Sequence, residues 1–157
     1  MMNQKLNFSQ RHPRFAALSR EDQKFIDKFE SAVLSEEQFH HEDHVKLAWL
    51  YLQLYPVCEV LERFSNGIKH LAKAFNNPEL YHETITWAYV FIINDRINKM
   101  SQPDVWWRFK EANEDIFKWG HNSLIRKYYR KETLQSEAAR KWFHLPDNYE
   151  FHFDFKS

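Results

Sequence analysis

Two glycines, Gly67 and Gly120, serve a chain of 157 residues. A β-rich domain of this length draws on many more for its tight turns, so their scarcity argues for helices. A single cysteine, Cys58, excludes a disulfide within the chain. It sits in an apolar helical pattern and reads as a core residue, and the lack of a disulfide framework points to the reducing cytoplasm. Net charge is also missing, with 22 basic residues against 22 acidic ones. A nucleic-acid partner is therefore not expected, because such a footprint needs a basic excess. The densest basic run, Arg126 to Lys131, reads as a solvated helix end, where cations suit the helix dipole. No segment approaches the roughly 18 apolar residues of a membrane span. No apolar run follows Met1-Met2-Asn3-Gln4-Lys5, so neither a membrane nor a signal peptide is expected.

Large aromatic side chains are abundant: 14 Phe, 7 Tyr and 6 Trp. Such residues bury the most area each and suit either a compact helical core or the lining of an apolar cavity. The length fits one domain with a real core. The expected fold is all-α: a single-domain helical bundle over 1–157, with about five main helices, two short C-terminal helices and an extended tail.

Residues 1–13 read as a loose arm ending near Pro13. Ser19 caps a first helix with acids in its opening turn, and Phe25, Ile26, Phe29 and Val33 share its inner face. A second helix runs from about His41 to Leu54, inward through Val45, Ala48, Trp49 and Leu52. Pro56 starts a third, striped by Val57, Leu61, Phe64, Ile68, Leu71 and Phe75. Asn77-Pro78-Glu79 signals a fourth, from Tyr81 to about Ile97, apolar on more than one face and so central. A fifth opens at Ser101-Gln102-Pro103-Asp104 and passes Trp106, Phe109, Ile116 and Phe117 before Gly120 ends it. Of the adjacent Trp106 and Trp107, one is expected in the core and one at the surface. Short helices follow near 122–129 and 131–143. The tail, 147–157, alternates like a strand without an evident partner and is expected to pack, extended, on the bundle.

Five of the nine histidines are scattered; the other four fall in two blocks. Phe39-His40-His41-Glu42-Asp43-His44 opens the second helix, and Tyr81-His82-Glu83-Thr84-Ile85-Thr86 opens the fourth. His41 with His44, or His40 with His44, can face one way on a helix and offer two imidazoles to one metal. A third ligand must come from elsewhere, and His82 is the natural choice. Glu83 lies about 100° around the helix from it, so one of the two would bind and the other act as a base or an orienting group. Three protein ligands and an open position suit zinc or non-haem iron. Thr84 is expected to bond a carbonyl one turn back. No glycine-rich phosphate loop or nucleophile elbow is present.

These blocks resemble a family of small, largely uncharacterised bacterial proteins. The shared pattern is an aromatic, a Thr or His, and His-x-x-His before an Ala-Trp helix, here Phe39 to His44 with Ala48-Trp49, followed by Tyr81 to Thr86. A third, weaker element is Tyr128-Tyr129, Glu137-Ala138-Ala139-Arg140 and Pro146-Asp147. The resemblance spans about Phe29 to Asp147. It implies His41, His44, His82 and Glu83 as the shared polar set and demotes His40, where relatives carry either Thr or His. It implies no particular activity.

The leading expectation is a metal-dependent enzyme acting on a small molecule. A divalent metal, zinc or iron, would sit on His41, His44 and His82, with Glu83 as fourth ligand or base and Tyr81 as a polar wall. The alternatives are a non-catalytic module that binds a metal or small ligand, and an interaction protein whose histidines form a structural network.

Overall fold

The computed structural model describes residues 11–148. Among the described residues there are eight α-helices, several one-turn 3-10 segments and no strand, so the all-α expectation holds. No helix among them is long and apolar enough to cross a membrane. Most of the N-terminal arm and the alternating tail from residue 149 lie outside the described residues.

Helix α1, Arg20–Glu30, starts where its sequence says it should: the Ser19 hydroxyl accepts the Asp22 amide at 3.1 Å, and Glu21 and Asp22 occupy the first turn. It buries Ile26 and Phe29. Val33 does not join that face. The helix stops at Glu30, Ala32 takes a left-handed φ of 52°, and the chain turns so that Leu34 enters the core while Val33 is 65% exposed. Helix α2, His41–Leu54, buries Leu47, Leu50 and Tyr51 as well as the expected Val45, Ala48 and Trp49, whereas Leu52 is half-buried. It is thus enclosed on nearly all sides.

Helix α3, Val57–Ala74, follows Pro56 and carries the expected stripe: Leu61, Phe64, Ile68 and Leu71 are buried. Cys58, in the first turn and off the line of that stripe, is exposed, which corrects its reading as a core residue. One helical turn beyond Phe64, Gly67 permits a close crossing, because a Cβ there would overlap the Phe29 ring. Helix α4, Glu83–Asn98, is central as expected and packs against α2, α3, α6 and α8.

Past α4 the chain is more broken than its pattern suggests. Helix α5 covers only Trp106–Ala112, and a separate 3-10 turn covers Glu114–Phe117. Asn113 causes the break. Its buried side-chain amide donates to the Phe109 carbonyl at 2.8 Å and its oxygen accepts from Arg96 at 2.9 Å. A side chain that bonds its own backbone in this way competes with helix propagation. Arg96 also grips Asp115 through two contacts of 3.1 and 2.7 Å, fixing the turn against α4. Gly120, with φ of +69°, lies in a further 3-10 turn instead of capping a long helix. Of the tryptophan pair, Trp106 is half-buried and Trp107 exposed. Three one-turn helices follow where two short ones were expected: α6 (Ile125–Tyr128), α7 (Lys131–Gln135) and α8 (Glu137–Lys141).

Thr84 explains how this last region is held. Its hydroxyl lies 2.7 and 2.9 Å from the Ala139 and Trp142 carbonyls and accepts the His144 amide at 3.1 Å. The expected bond to a carbonyl one turn back is replaced by a tie between α4 and α8.

Candidate functional site

The two histidine blocks meet at one cavity of about 760 Å³. Its polar end is built from two helix starts. On α2, the Asp43 carboxylate accepts the His40 amide at 2.9 Å, which sets the opening turn and places His40, His41 and His44 on the cavity wall. On α4, His82 is the N-cap: its Nδ1 accepts the Ile85 amide at 3.2 Å. The apolar walls come from α3 and α4, chiefly Phe64, Ile68, Leu71, Ile85 and Tyr89.

His41, His44 and His82 therefore line the same space, but their ring nitrogens are committed to different degrees. His41 Nε2 lies 2.8 Å from the Ile116 carbonyl, so it carries the proton and leaves Nδ1 as a lone pair. Its ring packs between Tyr89 and Trp119, at centroid distances of 5.0 and 4.7 Å. His44 stands edge-on to Phe39 at 4.1 Å. Burial, reinforced by the neighbouring His41 and His40, pushes its pKa down to about 3. His82 uses both nitrogens, since Nε2 donates to the Leu134 carbonyl at 2.9 Å while Nδ1 serves the cap. Burial lowers the pKa values of His41 and His82 too, and in each case a backbone carbonyl partly offsets the shift. His41, His44 and His82 thus present neutral imidazoles at neutral pH.

As placed, this set offers two histidines with uncommitted nitrogens, not three. Among the described residues no three His, Cys, Asp or Glu side chains are grouped to hold a metal ion.

Tyr81 and Glu83 are not on the cavity lining. The Tyr81 hydroxyl donates to the Glu83 carboxylate, and the Lys69 ammonium lies 3.7 Å from that carboxylate and 4.8 Å from the centre of the Tyr81 ring. Burial, with Glu83 beside it, raises the Tyr81 pKa. The structure gathers these three on the α3–α4 seam, next to the histidine wall but outside it.

Three cavity residues escape a reading built on histidine spacing. Trp119 covers His41 and is 62% exposed. Arg140 reaches in from α8. Tyr89 buries a hydroxyl that finds no hydrogen-bond partner among the described residues. Arg140 belongs to the weakest of the resemblance blocks; Trp119 carries no local signal beyond its size. No family model, no curated protein and no solved structure matches this chain.

Proposed function

We propose that this protein binds a small, largely apolar molecule in the cavity between α2, α3 and α4, and that neutral imidazoles meet the polar end of that molecule. The observation carrying this reading is the cavity itself: about 760 Å³, walled by Phe64, Ile68, Leu71 and Ile85 and closed at one end by His41, His44 and His82. Sites for small molecules fall in the range of about 300–1,000 Å³ and combine apolar walls with a few convergent polar groups. The cytoplasm is the compartment we favour, because the one cysteine leaves no disulfide to form within the chain.

Calorimetric titration with 2-naphthol, a neutral aromatic with one hydroxyl, tests the reading. Saturable one-to-one binding that Leu71→Trp abolishes, with helix content unchanged, is expected. Heat of dilution alone would sink it.

A divalent metal, zinc or ferrous iron, is a second reading. Among the described residues His41 Nδ1 and both nitrogens of His44 have no hydrogen-bond partner, and the two residues stand one helical turn apart. His82 joins such a set only by releasing the α4 cap and Leu134. Under this reading zinc binds stoichiometrically, His41→Ala and His44→Ala each abolish binding, and helix content stays constant. Zinc binding that survives both substitutions would remove it.

A further inference from the structure

Arg140 brings to the cavity a positive charge that no ion pair among the described residues neutralises. Its Nη1 donates to the Glu79 carbonyl at 2.5 Å and the Tyr81 carbonyl at 3.3 Å. Those bonds fix the guanidinium without cancelling its charge. Among the described residues Arg140 forms no ion pair, and it is the one arginine on the cavity lining. Its Nε and Nη2 donors keep no protein partner among those residues. A guanidinium presents its N–H groups as a planar fork suited to a carboxylate, and here it borders a wall of Phe64, Ile68, Leu71 and Ile85.

The surrounding charges decide which ligand suits it. The first turns of α2 and α4, helices of 14 and 16 residues, border the same space, and helix N-termini favour negative charge. Glu36, Glu42 and Glu79 also line the cavity and act against an anion. Glu42 is engaged by Lys110 at 2.5 Å. Glu36 and Glu79 are exposed, where solvent and salt screen them. His41, His44 and His82, held neutral by burial, add charge of neither sign.

From this arrangement we infer that the ligand is a monocarboxylate with an apolar body, its carboxylate on Arg140 and its body along α3 and α4. The inference rests on the reading of the cavity as a small-molecule site. An acyl chain and an aryl group both fit this chemistry, and the test separates them.

The experiment is a calorimetric comparison of matched probes on the full chain: octanoate, 1-octanol and octylammonium as one series, 2-naphthoate and 2-naphthol as the other. At least one carboxylate should bind about ten-fold or more tightly than its alcohol, as a charge-assisted bond implies. Octanoate leading marks an acyl ligand, and 2-naphthoate an aryl one. Arg140→Gln should bring the carboxylate down to the level of the alcohol and leave the alcohol unchanged. Arg140→Lys should restore part of the difference. Equal binding of acid and alcohol, or tighter binding of octylammonium, overturns the carboxylate assignment while the cavity remains a small-molecule site. Binding by none of the probes overturns the small-molecule reading and this inference with it. If Arg140→Gln loses helix content, the comparison of acid and alcohol on the unaltered protein still decides.

Discussion

His82 does two structural jobs with one ring. Its Nδ1 caps α4 and its Nε2 ties α4 to α7. His82→Ala should therefore cost about 2 kcal/mol, from a lost cap and a lost hydrogen bond, and His82→Asn should recover the capping part. Urea denaturation followed by circular dichroism measures both. A loss within a few tenths of a kcal/mol for alanine would show that neither bond matters. The same imidazole group sets a pH dependence. In the unfolded chain His41, His44 and His82 take up protons near 6.5, whereas folding lowers all three pKa values, that of His44 to about 3. As pH falls below 6.5 the unfolded chain binds protons that the folded one refuses, so stability declines through that window; above 6.5 these groups contribute no slope. Urea midpoints between about pH 4.5 and 8 should show this rise and plateau, and His44→Leu should flatten the rise. A midpoint that climbs on acidification would contradict the assigned burial.

At the scale of elements, the third helix was the most legible feature of the sequence, since its apolar stripe needs only local spacing. Phe64→Ala should cost roughly 3–5 kcal/mol, as for other buried aromatic truncations. Gly67 makes a sharper case. Added bulk there meets the fully buried Phe29 ring, so Gly67→Ala should destabilise by about 1–3 kcal/mol despite alanine's better helix propensity. Thermal melting that rises in this variant would show that α1 and α3 do not cross so closely. The break after α5 was not legible, because the Asn113 side chain that bonds the Phe109 carbonyl is held in place by Arg96 on another helix. Val33 and Cys58 misled for a related reason: periodicity marks a face but does not show where a helix stops or which apolar positions the packing leaves outside.

The whole molecule brings together what sequence spacing leaves separate. Each histidine block announced itself locally, yet their meeting at one cavity depends on how α2 and α4 pack. Arg140 and Trp119 reach that cavity from the C-terminal third, along a path no periodicity describes. Tyr81 and Glu83, adjacent to His82 in sequence, turn instead toward Lys69. Ligand-observed heats cannot locate a site, so the central claim is tested most directly by methyl-resolved NMR during titration with 2-naphthol. The account predicts saturable shifts of the Ile68, Leu71 and Ile85 methyls together with the ring signals of His41 and His44. Unmoved signals at these positions, or shifts confined to the surroundings of the exposed Trp107 and Trp142, would contradict it.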